Sequence, residues 1–226
     1  SLREYAQVQD FPDSFIFVGS INAIRKQIGN AVSPKMAEYI AKKIPPSNAV
    51  SLFSGCGGMD LGFQKVEHKV LLASDWEPIC AYTHKANFPN IPFILKDVHK
   101  ITAKEILEQT QQKIDLIFGG PPCQGFSMSG LRFKNDPRNQ LYKEFLRIIE
   151  ELDTQYFVME NVMGILSYKD QIIEDMELLG FQVELRVVKG EDIGMRQKRH
   201  RVFFIGKKAV KTGENNVPTN SNTTNN

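Results

Sequence analysis

The chain has 226 residues, 24% of them charged and 42% hydrophobic, with a formal net charge of +2. That balance is ordinary for a soluble globular protein and gives no ground by itself for a polyanionic partner. No apolar run approaches the roughly 18 residues of a membrane span, and the opening SLREYAQVQD has no signal-peptide pattern. Three well-separated cysteines, Cys56, Cys80 and Cys123, show no CxxC or Cys/His spacing, so a zinc site or a disulfide framework is not expected and reduced, cytoplasmic thiols fit better.

In chain order, DFPDSF and QIGNAV read as loops rich in turn formers. SPKMAEYIAKKI follows as a well-signalled helix with Ser33 as N-cap, Pro34 at the first helical position and lysines in the last turn. After Pro45-Pro46 short apolar runs alternate with helix-like segments. The runs are residues 49–53, 69–74, 92–95, 114–118, 156–160, 181–188 and 201–206. The segments at 77–88, 102–112, 140–152 and 169–180 carry apolar residues at spacings of three and four, with Thr102 and Asp170 as N-caps and Gly180 as a stop. This alternation predicts an α/β domain on a doubly wound, mostly parallel sheet. The polar, asparagine-rich end of the chain predicts disorder or a linker cut short.

SLFSGCGGMDLGF leaves the first strand and enters a helix, where a doubly wound sheet holds a nucleotide-like ligand. Gly55, Gly57 and Gly58 let the backbone turn tightly there. The spacing is neither GxGxxG nor a phosphate loop. The second strand ends in Asp75, placed to accept hydrogen bonds from ribose hydroxyls, and in Trp76, the only tryptophan, placed to stack on a purine. A glycine turn packing helix on strand, with Trp76 in the core, remains the alternative at this point.

The strand at 114–118 delivers GGPPCQGFS to the same rim. A thiol there needs a positive neighbour to act as a thiolate at neutral pH. The next strand ends at Glu160 and Asn161, and burial would raise that carboxyl's pKa to suit a proton donor. Near the last strand RQKRHR supplies Arg196, Lys198, Arg199, His200 and Arg201. Cys56 and Cys80 read as small buried hydrophobes. Taken one at a time, each of these features has an ordinary structural reading. Together they describe a nucleophile, an acid and an anion clamp on three strand ends.

With those motifs in view, the sequence resembles the DNA cytosine carbon-5 methyltransferases, through nearly the whole chain up to Gly206. SLFSGCGGMDLGF resembles that family's S-adenosylmethionine loop, GGPPCQGFS its nucleophile loop, ENV its acid motif and QKRHRVFFIG its arginine motif. REYAQVQDFPDSF and KQIGNAVSP resemble its last two motifs, yet here they come first, so the order resembles a circular permutation.

The resemblance implies a Rossmann-like fold with an antiparallel last strand, and S-adenosylmethionine as cofactor with no metal. It implies cofactor contacts from Phe53, Gly55, Gly57, Gly58, Asp75, Trp76, Asp97, Val98, Pro122, Leu141, Asn30 and Val32, and a catalytic set of Cys123, Glu160, Arg199 and Arg201. Ser51, Arg196 and His200 depart from many members' aspartate, proline and glutamate. Double-stranded DNA is the implied substrate, in the cytoplasm of a bacterium and at its nucleoid, within a restriction-modification system. The implied organisation is a permuted segment at 1–45, a catalytic domain at 46–206 and a tail or linker at 207–226.

The family's recognition region belongs between the arginine motif and REYAQVQDFPDSF, so it is expected in a longer chain or a second subunit, with Lys207, Lys208 and Lys211 as candidate phosphate contacts on the way. Two rivals stay in view: a tRNA cytosine-5 methyltransferase, which CQGFS disfavours, and a non-catalytic subunit completing a partner enzyme. A nicotinamide dehydrogenase fails on the glycine spacing.

Overall fold

Runs rich in β-branched and aromatic residues become the strands, because such side chains fill a pleated, buried surface well. They are β1 (Asn48–Leu52), β2 (Lys69–Asp75), β3 (Phe93–Leu95), β4 (Leu116–Gly119), β5 (Tyr156–Asn161), β6 (Phe181–Lys189) and β7 (His200–Lys208). In the computed structural model, which describes residues 1–122 and 141–209, they form one sheet in the order β3-β2-β1-β4-β5-β7-β6. The first five strands in that order run parallel, and β7 lies antiparallel to both β5 and β6. The fold is therefore the doubly wound α/β sheet expected, with its antiparallel last strand. The direction of winding reverses between β1 and β4, which opens a crevice at their carboxyl ends.

Both faces of the sheet are covered. On one, α6 (Ala103–Thr110), α7 (Leu141–Glu151) and α8 (Lys169–Leu178) bury Ile106, Phe145, Ile149, Ile172 and Met176 against Val50, Leu52, Ile117 and Phe204. On the other, α3 (Pro34–Ala41) and α4 (Gly58–Gln64) bury Met36, Ile40 and Phe63 against Ala49, Phe118 and Val158. Phe63 stacks on Phe118 with ring centroids 4.1 Å apart.

Ser33 caps α3 and Thr102 caps α6 through their side chains, as expected. Gly180, with φ +85°, follows the end of α8. Three expectations need correction. Asp170 is not an N-cap: α8 begins one residue earlier, after Tyr168, which leaves Asp170 in the first turn, where its charge opposes the positive end of the helix dipole. Helix α3 ends at Ala41, so Lys42 and Lys43 follow its last turn. The strand expected to finish at 206 runs on to Lys208 because its partner β6 is nine residues long and keeps pairing with it to Phe181.

The largest difference lies before residue 33. QIGN is helical, as the end of α2 (Ile21–Asn30), and α1 (Leu2–Val8) precedes it. Low helix propensity at Gly29 and Asn30 is outweighed by tertiary packing. Ile28 is fully buried in a cluster with Ala6, Phe11, Phe15, Cys56 and Phe88, and a Cβ on Gly29 would stand 2.9 Å from the Tyr5 hydroxyl of α1. DFPDSF stays non-helical but plants Phe11 and Phe15 in that cluster, their rings 4.7 Å apart. Among the described residues no helix is long and apolar enough to cross a membrane.

Candidate active site

A cavity of about 760 Å³ opens at the carboxyl ends of β1, β4 and β5. Its floor is the turn after β1, from Phe53 to Gly55. Phe53 itself takes the left-handed conformation at φ +54°, as does Gly55, whose missing side chain faces open space. A non-glycine residue held there costs of order 1–3 kcal/mol and persists only where its surroundings over-determine it. The surroundings are a chain of buried hydrogen bonds. The Ser54 hydroxyl donates to Ser51 Oγ (2.8 Å), Ser51 Oγ donates to Asp60 Oδ2 (3.0 Å), and Asp60 Oδ1 lies 3.1 Å from His84 Nε2, with Asp60 and His84 fully buried. No signal in the sequence pointed to this chain, since the histidine lies 24 residues from its partner.

Asp75 leaves β2 toward the turn. One carboxylate oxygen accepts from Gly55 N–H (2.8 Å), the other from Glu77 N–H (2.9 Å), and burial raises the group's pKa despite both bonds. Beside it Trp76 is 68% exposed and lines the cavity, which rules out the core reading of this residue. Cys80 also differs from expectation: it is half-buried on the cavity wall, its thiol pushed up to about 12 by burial and then by Asp75 and Glu77. Cys56 is buried as expected, and burial likewise drives its thiol upward.

Helix α2 supplies Ala23, Lys26 and Gln27, a stretch of wall the sequence did not suggest, which continues through Asn30 and Val32, the two positions the resemblance had implied. Gly58 shows how this wall comes so close. A Cβ there would stand 2.3 Å from the Val32 carbonyl oxygen, so only glycine admits the chain. Gly57, at φ +93°, faces the other way, with Phe88 2.5 Å from where a Cβ would be.

Opposite stand the ends of β4 and β5. Glu160 is 9% exposed, with Arg201 Nε 2.9 Å from its Oε1. A Cβ on Gly120 would come within 2.8 Å of Glu160 Oε2, so this glycine makes room for the carboxylate. Burial raises the Glu160 pKa, while Arg201 and Arg199 pull it down. The Asn161 side chain donates to the Pro121 carbonyl (3.0 Å), pinning the strand exit that leads to position 123.

Arg199 does not line the cavity. Its Nη2 donates to the carbonyls of Gly29 (3.2 Å) and Ala31 (2.8 Å), which ties the arginine motif to the α2 wall. Burial, and then Arg201, push its pKa down to about 10.

The cavity thus gathers Phe53, Gly55, Gly58, Asp75, Trp76, Pro122, Asn30, Val32, Glu160 and Arg201. Gly57, Asp97, Val98 and Leu141 stand outside its lining. Asp97 caps a short 3₁₀ turn and holds His99 Nδ1 at 2.7 Å, Val98 is buried, and Leu141 packs against the core. Arg196 and Lys198 are exposed, and His200 pairs with Glu191 at 2.9 Å. Lys207 and Lys208 sit at the far end of the sheet, where Lys207 is in register with Tyr156 and Lys208 Nζ lies 2.5 Å from Asp153. They do not flank the cavity rim. Cys123 and Lys211 lie outside the described residues.

A family model described as C-5 cytosine-specific DNA methylase matches residues 1–45 and 47–226. The type II methyltransferase M1.HphI of Haemophilus parahaemolyticus is 39% identical over 168 residues, covering 70% of this chain and 45% of that protein. The type II methyltransferase M.AquIA of Picosynechococcus is 38% identical over 187 residues, with 75% of each chain covered. Among solved structures, a protein described as a DNA modification methyltransferase encoded within a prophage of E. coli superposes with a TM-score of 0.63 at 35% identity. The match covers 71% of this chain and 46% of that one. The chain therefore spans under half the length of M1.HphI but three quarters of M.AquIA.

Proposed function

This chain belongs to the family of C-5 cytosine-specific DNA methylases, and from that premise we propose that it is the catalytic part of an enzyme methylating carbon 5 of a cytosine turned out of double-stranded DNA. The observation that carries this reading is the Glu160–Arg201 pair on the same cavity as the glycine turn and Pro122. Pro122 directly precedes Cys123.

The cavity fits S-adenosylmethionine, which supplies a methyl group on a sulfonium when bound. Gly55 leaves open space where a side chain would stand, Trp76 presents an exposed aromatic face for an adenine, and Asp75 lies at the strand end that commonly meets ribose hydroxyls. Phe53, Gly58, Pro122, Asn30 and Val32 complete the cofactor set from the lining. Gly57 serves by shaping the turn.

Carbon 5 of cytosine is a poor nucleophile. We assign the Cys123 thiolate to attack carbon 6: the sulfur–carbon bond forms, and the ring's electron pair shifts to an enamine-like carbon 5 that can accept a methyl group. Glu160, whose pKa burial raises, hydrogen-bonds or gives its proton to ring nitrogen 3 as charge builds there. Arg201 faces the base's carbonyl oxygen. Loss of the carbon-5 proton then re-forms the ring double bond and expels the thiolate. The base must leave the stack, at a cost of a few kcal/mol recovered by contacts in the pocket.

We assign residues 1–45 as a permuted segment closing the catalytic unit, which the break of the family match between 45 and 47 supports. A recognition region in cis or in trans would then read the DNA sequence, as part of a restriction-modification system in the bacterial cytoplasm.

The test is capture of a 5-fluorocytosine duplex in the presence of S-adenosylmethionine, with the recognition region or its partner supplied. A covalent adduct at residue 123, lost in Cys123→Ala, is expected. No adduct, with S-adenosylhomocysteine still bound, would favour a non-catalytic subunit, and capture of tRNA in place of DNA would favour the tRNA reading.

A further inference from the structure

The two edges of the sheet differ. The β3 edge is three residues long, too short to recruit another strand. The β6 edge runs nine residues in unbroken register with β7, without a bulge or a proline. Natural proteins usually blunt such an edge with shortening, proline, bulges or charged side chains, because its outer backbone groups are free to pair; of these β6 has only the charges, and Glu184 and Arg186 are of opposite sign and paired with each other. A groove of about 440 Å³ runs along it, walled by Tyr39 and Ile193. Residue 187, a valine on this edge, is 43% exposed.

The side chains on β6 are symmetric about its centre. Val183-Glu184-Leu185-Arg186-Val187 carries a valine on each flank and opposite charges at equal distance from Leu185. We propose that β6 pairs antiparallel with β6 of a second copy of this chain, about a two-fold axis through Leu185, and joins the two sheets into one. In that register Glu184 of each copy faces Arg186 of the other, and Val183 faces Val187. A shift of the axis by one residue puts glutamate against glutamate or arginine against arginine, and a half-step shift puts the charges against leucine or valine.

Within a single chain Glu184 and Arg186 contact each other along the strand. Pairing exchanges that contact for two cross-strand ones, which in solvent set the register more than the affinity. Two-fold contacts of this kind close on themselves, so a dimer forms rather than a fibre.

Sedimentation velocity over a range of concentrations tests the pairing, since the readout is independent of methyl transfer. The parent chain should show a concentration-dependent monomer–dimer equilibrium. Glu184→Arg should weaken it at least tenfold by opposing arginines across the axis, and adding Arg186→Glu should restore it, because the double exchange preserves the pairing. Thermal melts of each variant confirm folding. A parent chain that stays monomeric up to about 100 µM overturns the proposal and leaves the groove to another protein or segment, as does a dimer indifferent to Glu184→Arg or not rescued by the double exchange.

Discussion

Glu160 and Arg201 reach each other from antiparallel neighbours: β5 ends at the carboxylate, β7 begins beside the guanidinium, and Arg201 Nε lies 2.9 Å from Glu160 Oε1. The pair is fixed by strand register rather than by a loop, so Glu160→Gln should leave the site's shape intact while removing its proton donor. Positioned acid–base groups contribute roughly 10²–10⁴-fold in rate. Methyl transfer should fall by about that factor, with affinity for S-adenosylhomocysteine changed less than about threefold. Rapid-quench transfer from labelled cofactor, alongside calorimetry, separates the two. A variant with near-parent turnover would remove Glu160 from the mechanism.

The same carboxyl group imposes a pH signature on stability. Its folded-state pKa is raised above the ordinary 4.5 because burial outweighs the two arginines. Its neutral form therefore favours the fold at low pH, and that contribution is lost as pH rises from about 4.5 through the raised value. Glu160→Gln cannot ionise and escapes the loss. The melting temperature of the variant minus that of the parent should thus rise between pH 4 and pH 7. A difference that is flat or falls with pH would mean that Arg201 and Arg199 stabilise the charge more than burial opposes it.

Much of this arrangement was legible in the sequence because it depends on local pattern. Apolar runs located all seven strands of the described residues, and a glycine turn after the first of them marked the crevice. Trp76 and Asp75 were readable as strand-end residues. What stayed hidden depends on distant partners. Helix α2 contains Gly29 and Asn30, and only burial of Ile28 among Phe11, Phe15 and Phe88 makes that stretch helical. The Ser51–Asp60–His84 chain joins three elements through hydrogen bonds that no spacing rule encodes. Arg199 looked like a catalytic group from its motif, whereas its side chain points to the Gly29 and Ala31 carbonyls.

Two glycines of the turn should separate folding from binding. A methyl group at Gly58 would collide with the Val32 carbonyl at 2.3 Å, a backbone atom with little room to yield, and would crowd the Phe11 ring at 3.1 Å. Gly58→Ala should cost about 1–3 kcal/mol or more in stability. Gly55 has open space at the same atom and only its φ of +54° opposes a side chain, a penalty of roughly 1–2 kcal/mol. Its methyl would project where the cofactor is proposed to lie, so Gly55→Ala should lose more affinity for S-adenosylhomocysteine than stability. Urea melts and calorimetry on both variants give the comparison. Equal losses on both measures would remove Gly55 from the binding surface.

Cys80 lines the cavity, yet its thiol should be inert. Burial, Asp75 and Glu77 push it up to about 12, so at pH 7.5 only a minute fraction is thiolate, and thiolate is the reactive form. Iodoacetamide at pH 7.5 should leave the Cys80 peptide largely unmodified over an hour, and Cys56, buried with its thiol also raised, should behave alike. Peptide mass spectrometry reads both sites in one digest. Rapid labelling of Cys80 at neutral pH would contradict the electrostatics described for this wall.

The contacts of Arg199 with the Gly29 and Ala31 carbonyls predict a positioning role, felt on the proposed cofactor side. Its two bonds, at 3.2 and 2.8 Å, hold the carbonyls that precede Val32, and the Gln9 amide donates to the same Ala31 carbonyl at 2.7 Å. Hydrogen bonds from a charged donor are worth about 1.5–3 kcal/mol each, and Gln9 remains to hold part of the wall. Arg199→Met should therefore weaken S-adenosylhomocysteine binding by about tenfold and speed amide exchange across residues 28–32. Glu160 would lose one of the two cations that lower its pKa, so the limb of the pH–rate profile that falls as Glu160 ionises should move to higher pH alongside the weaker binding. A catalytic role in contact with the base predicts the opposite split: slower transfer, unchanged cofactor affinity and unchanged exchange at 28–32. Arg199→Lys discriminates further, since a single ammonium can reach one carbonyl but not reproduce the guanidinium's geometry, and partial recovery of affinity is expected.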